Sequence, residues 1–425
     1  MDKDDIRYTT YCQILKEELI PAMGCTEPIA LAYATAKGRE VLECFPEKVH
    51  LQISGSIIKN VKSVIVPNTN KLKGIPAAAA AGIIAGRAER ELEVIAEVSE
   101  EEIQAMNKYI ENVPIEVEFL DSGHVFDIIV TEYAGEDWSR VHIQDFHTNV
   151  VLVEKNGKVL YKGEDTGLDL EHRADRSLLN MEDIWDFANS VDIKDVKDVL
   201  ERQIRYNTAI AEEGLIGNYG ANIGSVLLRS HGQDVLTRAK ARAAAASDAR
   251  MNGCELPVVI NSGSGNQGIT VSVPVIEYAK EYHSGNERLY RALCLSNLVS
   301  IHEKSGIGTL SAYCGAVSAG AGAGAGIVYL SGGDYDAVKH TVVNALAIVS
   351  GIVCDGAKAS CAAKIASSID AAVMGYNMYK LGQEFKGGDG IVMNDIEATI
   401  RGIGRLGKDG MAETNKEIIR LMIGR

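Results

Sequence analysis

The stretch Gly306-Ile-Gly-Thr-Leu-Ser-Ala-Tyr-Cys314-Gly leads through a run of Gly and Ala to Gly351-Ile-Val-Cys354-Asp-Gly-Ala-Lys-Ala-Ser-Cys361. The residues between the first two cysteines are mostly Gly, Ala and Val. This composition favours two closely packed helices, which a Ser-Gly-Gly-Asp turn at residues 331–334 joins. The rest of the chain is interpreted around this segment, because it brings three thiols into one apolar region.

The spacing of the three cysteines limits how they can meet. In an unbroken helix Cys354 and Cys361 share a face but lie about 10.5 Å apart along the axis, which is too far for one small cluster. Gly356 offers a break that folds the second thiol back toward the first, because glycine accepts backbone angles that other residues resist. With Cys314 supplied by a neighbouring element, the sequence predicts three thiols that converge at helix ends.

Spacing alone leaves several interpretations of these thiols open. Buried thiols pack like small hydrophobic side chains and are common in protein cores. A zinc site is disfavoured, because the short paired spacing of structural zinc sites is missing from the sequence. An iron–sulfur cluster that is held by three thiolates, with one iron left open, fits cysteines at irregular spacing.

Length and charge bound the class of protein. The chain has 425 residues and a formal net charge of -15 at pH 7, which suits two or three domains. No Lys/Arg-rich run favours nucleic acid or an anionic membrane surface, so the expected partners are a small-molecule substrate and a second copy in a homodimer. The uncharged run at residues 305–333 is dominated by Gly, Ala and Ser, which favours a buried helix over a membrane span.

Residues 1–7 are acidic, whereas a signal peptide is basic and then apolar. We therefore expect a cytoplasmic protein. In that compartment its eight cysteines are expected to be reduced, metal-bound or catalytic instead of paired in disulfides.

Hydrophobic periodicity predicts an α/β protein with two domains. Residues 1–170 are predicted to form an α+β domain with a mixed or largely antiparallel sheet, and residues 177–425 a mainly α-helical domain that holds the three thiols. The predicted strands lie at residues 49–58, 61–66, 115–120, 125–131, 141–144, 150–154 and 158–161. Residues 402–407 match G-x-G-x-x-G but follow a helical stretch instead of a strand, so they are interpreted as a loop.

A fourth cysteine stands in the segment Pro21-Ala-Met-Gly-Cys25-Thr-Glu-Pro28. The following helix is predicted to begin near Pro28, which places Cys25 close to a helix N-terminus. The terminal N–H groups and the helix dipole favour a thiolate at such a position. Cys25 is therefore a candidate catalytic thiol, with a plain apolar contact as the alternative.

Small polar residues alternate with glycines at residues 261–268, Asn-Ser-Gly-Ser-Gly-Asn-Gln-Gly. Such a backbone can approach a ligand closely and present N–H donors to a carboxylate or phosphate. The alternative is a glycine-rich turn between strands. His147, which neighbours other short polar residues, is interpreted as a hydrogen-bonded structural group. The candidate binding residues are Ser262, Ser264, Asn266 and Gln267.

On these residues the chain resembles the iron–sulfur L-cysteine desulfidase family along nearly its whole length. More distantly, from about residue 181 onward, it resembles the iron–sulfur L-serine dehydratases. Ser311-Ala-Tyr-Cys314-Gly-Ala-Val-Ser is similar to the Gly-Cys segment of the dehydratases, and Cys354-Asp followed by Cys361 is similar to their Cys-Asp-Pro…Pro-Cys segment. The resemblance implies a [4Fe-4S] cluster held by Cys314, Cys354 and Cys361, with Cys25 as the proton acceptor.

The chain departs from the dehydratase pattern at two positions. Gly356 and Ser360 stand where the dehydratases have proline, and the spacing from Cys354 to Cys361 is shorter than theirs. These differences weaken the transfer of L-serine as substrate. They also leave open that Cys25 is a cluster ligand in place of Cys361.

The reaction that the resemblance implies is the α,β-elimination of L-cysteine to hydrogen sulfide, ammonia and pyruvate by a carbon–sulfur lyase. The open iron is expected to act as a Lewis acid on the substrate thiol, while Cys25 takes the α-proton. Thr26 and Glu27 are expected to orient Cys25 or bind the substrate ammonium group. The candidate residues at 262–267 are expected to bind the carboxylate.

Three other functions stay open at this point. One is an iron–sulfur L-serine dehydratase. Another is a pyridoxal-phosphate lyase, since Ser264-Gly-Asn-Gln-Gly is similar to the substrate loop of cysteine synthase relatives and Lys59 can form an imine. The last is a non-catalytic iron–sulfur redox sensor.

Overall fold

A computed structural model describes residues 1–23, 26–163, 173–308 and 311–424. It confirms the mixed α/β class, with a six-stranded sheet early in the chain and a helical C-terminal region. The helices are α1 (Ile6–Glu18), α2 (Thr26–Leu42), α3 (Gly55–Val61), α4 (Gly74–Ala85), α5 (Glu100–Asn112), α6 (Met181–Ser190), α7 (Lys197–Ile216), α8 (Ile223–His231), α9 (Val235–Met251), α10 (Gly265–Glu281), α11 (Asn286–Ile307), α12 (Gly315–Leu330), α13 (Tyr335–Val349), α14 (Ser360–Lys380), α15 (Ile396–Arg405) and α16 (Ala412–Ile423). The strands are β1 (Pro21–Met23), β2 (Lys48–Ile53), β3 (Ile115–Phe119), β4 (Asp127–Ala134), β5 (Asp137–Gln144), β6 (Val150–Lys155), β7 (Lys158–Lys162) and β8 (Pro257–Val259).

The first hydrophobic core forms on the six-stranded sheet, whose strand order is β3-β2-β4-β5-β6-β7. β2 and β3 run parallel and the other neighbours run antiparallel, so the predicted mixed sheet is confirmed. α2 packs on β4 and β5, and α4 packs on α2. The strand predicted at residues 49–58 ends at Ile53, because α3 occupies residues 55–61 and buries Ile57, Ile58 and Val61. The strand predicted at residues 61–66 is wrong, because this segment is a turn in which Ile65 forms an isolated bridge with Lys73. A short apolar run has the same appearance in a buried helix and in a buried strand.

The second core is helical, and α12 passes through its middle. A Cβ atom on Gly322 would lie 2.5 Å from the carbonyl oxygen of Ser296 on α11, and one on Gly320 would lie 2.7 Å from Cβ of Ser368 on α14. The glycines of this helix therefore allow its neighbours to approach its backbone closely. This close packing explains the Gly/Ala composition of the segment.

Three helices of this core run in the same direction. Along α12, Gly320 meets Ser368 and Gly324 meets Ala372, so the contacts with α14 advance together along both helices. The contacts with α10 advance likewise, from Gln267 at Gly315 to Val275 at Gly326. The N-termini of α10, α12 and α14 therefore lie at one end of the helical core.

Each core contains a helix from the other end of the chain. Tyr11 and Ile14 of α1 are fully buried in the helical core. Ile419 of α16 is buried in the sheet core, where it packs against Gly55 at the start of α3. The division into domains at 1–170 and 177–425 stays a prediction.

The predicted loop at residues 402–407 is wrong. These residues belong to α15 and to the π-helical turn Leu406–Gly410 that follows it. A Cβ atom on Gly404 would lie 3.1 Å from the backbone of Gly306, and one on Gly407 would lie 2.9 Å from Ile307. The glycines here allow close helix packing, which sequence spacing cannot distinguish from a flexible loop.

Within the described ranges, every helix is too short or too polar to cross a lipid bilayer.

Glu132 is a buried acid in the sheet core. It lies on β4, its side chain is inaccessible to solvent, and neither of its carboxylate oxygens has a hydrogen-bond partner among the described residues. Burial raises the pKa of Glu132 well above its ordinary value, although the charge of Arg39 opposes this shift.

This shift predicts how Glu132→Gln changes stability with pH. Because the folded pKa of Glu132 exceeds the unfolded one, its stabilising contribution is complete below the ordinary value of 4.5 and is lost as the pH rises through the folded pKa. We expect Glu132→Gln to have a higher free energy of unfolding than the wild type in alkaline buffer, and the gain to shrink as the pH falls toward 4.5. Urea denaturation over a pH series measures this difference, with the exposed Glu111→Gln as control. A constant difference at every pH would contradict the assignment.

Candidate active site

The site is built on two short segments that pair in antiparallel fashion at the end of the helical core. Tyr313 and Val353 form the bridge, with the N–H of Cys314 donating to Ile352 at 3.1 Å and the N–H of Cys354 donating to Ala312 at 2.6 Å. Residues one position after a bridge pair face the same side of the two strands. This pairing therefore places the Cys314 and Cys354 thiols on one face, with Cys314 at the N-cap of α12.

Cys361 reaches the same end of the core through a turn. Gly356 has φ +93, and its Cα packs against the backbone carbonyl of Lys59, where a side chain would clash. Cys361 then lies in the first turn of α14, and its Sγ donates to the carbonyl of Gly356 at 3.4 Å. The break after Asp355 is thus the glycine turn that the sequence predicts.

The three thiols are close but do not form a closed set of ligands. The side chains of Cys314 and Cys354 are within hydrogen-bonding range, and the charge of Cys361 influences Cys314. Among the described residues, no group of three or more His, Cys, Asp or Glu side chains is arranged to hold a metal ion. The Cys361 thiol is instead hydrogen-bonded to the carbonyl of Gly356.

The hydrogen bond between Cys314 and Cys354 shifts the pKa values of the two thiols in opposite directions. The hydrogen bond that Cys314 donates is the largest cause of the lowered pKa of Cys354, and Lys59 and the N–H of Gly356 lower it further, although burial opposes them. The same hydrogen bond, together with burial, raises the pKa of Cys314. Burial also raises the pKa of Cys361. Cys354 is therefore the thiol whose surroundings favour the thiolate.

Four lysines surround the thiols. Lys358 and Lys364 both form ion pairs with Asp355. Lys59 of α3 is 2% exposed, and its Nζ donates to Oδ1 of Asn415 at 2.8 Å and to the carbonyl of Ser311 at 3.5 Å. Since both of these acceptors are neutral, the charge of Lys59 is not offset by them.

Lys304, in the last turn of α11, is also buried, and its side chain makes no hydrogen bond or ion pair with any residue that the structure describes. Burial lowers its pKa, while Cys354 and Cys314 raise it and Lys59 lowers it. Lys304 is therefore close enough to Lys59 and to the Cys314 and Cys354 thiols for their charges to act on its ammonium group.

This donor set fits an iron–sulfur cluster in its chemistry. Thiolates are the protein ligands of such clusters, and Cys314 and Cys361 lie at N-termini of helices that run parallel, whose dipoles favour negative charge. The lysines add positive charge on the remaining sides. The assignment of Cys314, Cys354 and Cys361 as ligands stays a prediction.

The segment at residues 261–268 lies beside this site, but fewer of its polar groups are available to a ligand than its composition suggests. Only residues 261–264 form a turn, and α10 begins at Gly265. Ser264 is the N-cap of α10, the Ser262 hydroxyl donates to Oδ1 of Asn261 at 2.9 Å, and Asn266 Oδ1 accepts from Arg250 at 3.4 Å. The polar side chains at 262, 264 and 266 thus already make local hydrogen bonds.

Gln267 differs from the other residues of this segment. A Cβ atom on Gly315 would lie 2.5 Å from its amide carbon, so the Gln267 side chain covers the N-terminus of α12 next to Cys314. Its Oε1 is buried and has no hydrogen-bond partner among the residues described. Gln267 is therefore the residue of this segment that is free to meet a ligand.

Cys25 lies outside the described residues, but the residues that follow it are placed. Glu27 accepts from Asn60 Nδ2 at 3.0 Å, and the Thr26 hydroxyl donates to Glu27 at 3.4 Å. Asn60 follows Lys59 on α3, so the start of α2 is linked to the helix that supplies a lysine to the thiols. This link is the structural support for treating Thr26 and Glu27 as part of the same site.

His147 lies near this end of α2. Its ring lies 4.6 Å from that of Phe126, and its Nε2 is buried without a partner in the described ranges. Burial lowers the pKa of His147, whereas Glu27 raises it. The interpretation of His147 as a hydrogen-bonded structural group is therefore wrong for this nitrogen, which has no hydrogen bond to a described residue, while the ring packs at a tilt of 58° against that of Phe126.

Sequence reasoning missed the four lysines as a group. Lys59 was considered only as an imine-forming residue, and Lys304, Lys358 and Lys364 carried no predicted role. The available signal was the pattern of Lys358 and Lys364 around Asp355, because two lysines near one acid leave excess positive charge. No local signal marks Lys59 or Lys304, since they are brought together only by tertiary folding.

Comparison with known proteins identifies the class. Residues 89–420 match the family model for the serine dehydratase alpha chain, and the chain belongs to that family. Membership indicates a lyase-type enzyme.

Among individual proteins, the chain is similar to the UPF0597 proteins of three bacteria. The protein of Desulfitobacterium hafniense is 59% identical over 423 residues, which cover 100% of this chain and 98% of the relative. That of Lachnoclostridium phytofermentans is 52% identical over 416 residues, with 98% and 100% covered. That of Treponema denticola is 45% identical over 432 residues, with 100% of both chains covered.

Proposed function

We propose that the protein is an L-cysteine desulfidase, a lyase that converts L-cysteine to hydrogen sulfide, ammonia and pyruvate. The observation that carries this proposal is the position of Cys314, Cys354 and Cys361 at one end of the helical core, among lysines that favour anionic sulfur. The serine dehydratase alpha chain family supports elimination from a small β-substituted amino acid. The resemblance of the sequence to iron–sulfur desulfidases supports sulfide as the leaving group.

The three cysteines would hold a [4Fe-4S] cluster, which supplies a Lewis-acidic iron to a departing sulfide when bound. Cys25 is proposed to accept the proton from the α-carbon while the bond between the β-carbon and sulfur breaks. The aminoacrylate that leaves the site then reacts with water to give pyruvate and ammonia. Thr26 and Glu27 are proposed to orient Cys25 or to bind the substrate ammonium group, which a carboxylate can do by a charge-assisted hydrogen bond.

The residues at the start of α10 are proposed to contact the polar groups of the substrate. Gln267 is the strongest of these candidates, because its Oε1 lies over the N-terminus of α12 without a partner among the described residues. Ser262, Ser264 and Asn266 are proposed to hold the turn in position, since each of them is hydrogen-bonded within or next to it.

A second candidate function is the elimination of water from L-serine, which the name of the matching family favours. One experiment separates the two candidates. Protein that is purified and reconstituted without oxygen is assayed for iron, for sulfide and for pyruvate with L-cysteine and with L-serine. We expect equal amounts of sulfide and pyruvate from L-cysteine, at a kcat/KM at least about tenfold above that for L-serine, a difference of about 1.4 kcal/mol in transition-state stabilisation.

The result that contradicts the proposal is iron-loaded protein that forms pyruvate from L-serine but no sulfide from L-cysteine. That outcome supports the dehydratase instead. Protein that binds no iron under these conditions would exclude both candidates.

A further inference from the structure

The two lysines without a carboxylate partner, Lys59 and Lys304, are the feature of the site that the proposed chemistry does not yet use. Both are buried, and they come from different cores, Lys59 from α3 and Lys304 from α11. Lys59 donates only to neutral oxygens, and the side chain of Lys304 has no hydrogen-bond or ion-pair partner in the described part of the chain. A buried ammonium group without an anion in direct contact is costly, so this pair indicates that an anion belongs beside it.

The other two lysines of the site differ from this pair, because they have a carboxylate partner. Lys358 and Lys364 lie in the same region, but both are paired with Asp355. The pair Lys59 and Lys304 has no equivalent acid among the described residues. The thiols lie near enough for their charge to act on both lysines, but neither lysine forms an ion pair with a carboxylate in the described part of the chain.

The position of the pair suits a ligand that reaches the thiols. Nζ of Lys59 contacts the carbonyl of Ser311, three residues before Cys314. Lys304 lies in the last turn of α11, just before the segment that leads to Ser311, and both thiols of the Cys314 and Cys354 pair influence its charge. A small anion at the lysines is therefore next to a group bound at the sulfurs.

The turn at residues 261–264 is a poorer partner for such an anion. The side chains of Ser262 and Asn266 are hydrogen-bonded to Asn261 and Arg250, and Ser264 caps α10. Neutral groups that are already bonded gain little from an anion, whereas an ammonium group gains a charge-assisted hydrogen bond, which is roughly twice as strong as a neutral one.

We propose that Lys59 and Lys304 form the subsite that binds the α-carboxylate of the amino-acid substrate. The assignment rests on the proposed function, because it takes the substrate to be an α-amino acid. It makes the two lysines specificity residues for a carboxylate, and it leaves Gln267 and Glu27 for the ammonium group.

The test compares two thiols that differ in one charge, 3-mercaptopropionate and 3-mercaptopropionamide. Each is titrated by calorimetry into iron-loaded wild-type protein and into the variants Lys59→Met and Lys304→Met. Lys62→Met is the matched control, since Lys62 is an exposed lysine at the end of α3. We expect the wild type and the control to bind the acid at least about tenfold more tightly than the amide, which corresponds to one charge-assisted contact.

In each of the two variants we expect the affinities for the acid and the amide to differ by no more than about twofold. The affinity for the amide should stay unchanged. A preference that persists in both variants would overturn the inference. So would a loss of iron from both variants, because the lysines would then serve the thiolates and not the substrate.

The outcome for the proposed function is read separately, from sulfide release by the wild type. If the wild type releases sulfide from L-cysteine but the variants keep the preference for the acid, only the lysine assignment fails. If the wild type releases no sulfide, the desulfidase proposal fails, and a loss of the acid preference in the variants still supports a carboxylate subsite.

Discussion

Cys354→Ser is expected to deprive the protein of its iron and of its activity. Cys354 is the thiol whose pKa is lowered, through the hydrogen bond from Cys314 and the charge of Lys59, so it is the sulfur best prepared to act as a thiolate ligand. A serine hydroxyl in its place is a harder donor that stays protonated, and iron–sulfur clusters are held by thiolates. Mutation of a residue that hydrogen-bonds a metal ligand already lowers metal affinity or activity by about 10- to 100-fold. Loss of a ligand itself should therefore lower sulfide release by at least about 100-fold.

The measurement is iron and acid-labile sulfide per chain after reconstitution without oxygen, followed by the sulfide assay. Cys44→Ser is the control, because Cys44 is an exposed thiol just after α2 whose Sγ donates to the carbonyl of Leu42. The control should keep its iron and its activity. Full iron content in Cys354→Ser would remove Cys354 from the ligand set.

Gly322→Ala is expected to destabilise the fold through the packing of α12. In an exposed helix this change would gain about 1 kcal/mol from helix propensity. At Gly322, however, the added Cβ would lie 2.5 Å from the carbonyl oxygen of Ser296 and 3.2 Å from Ser300, so α11 has to move away from α12. Overpacking of this kind costs about 1–3 kcal/mol, and Gly322→Val, which adds two further methyl groups, should cost more.

The free energy of unfolding from urea denaturation measures the effect, with far-UV circular dichroism as the probe. Gly351→Ala is the matched control, because nothing lies within 4 Å of a Cβ atom at that position. The control should change the free energy of unfolding by less than about 0.5 kcal/mol. Equal stability of Gly322→Ala and the control would show that α11 and α12 do not pack as closely as described.

The sequence predicted most of the sheet core, because strands on a partly exposed sheet carry a clear alternation of apolar and polar residues. Strands β3, β6 and β7 lie within one residue of their predicted positions, whereas β5 begins four residues earlier than predicted, at Asp137, and β4 extends three residues further, to Ala134. The errors at two helical segments have different causes. α3 is buried on nearly every side, so no exposed face marks its period. At residues 402–410 the four glycines favour a loop and so concealed a helical segment that does have exposed polar residues.

The candidate site was predicted in part for a related reason. The cysteines stand out by residue type, and the glycine turn at Gly356 could be inferred from its position between two of them. Lys59 and Lys304 are separated by most of the chain, and each is unremarkable within its own helix. Their proximity depends on tertiary folding, which brings Lys59 of α3 to the carbonyl of Ser311 beyond the end of α11 and which no local pattern encodes.

The exchange of α1 and α16 between the two cores bears on how the chain folds as it is synthesised. The sheet core lacks Ile419 until α16 has been synthesised, and α1 lacks partners such as Phe187 and Leu298 until α6 and α11 have been synthesised. The sheet core therefore cannot be completed before the helical core has been translated. We expect the two cores to complete their folding together instead of in chain order.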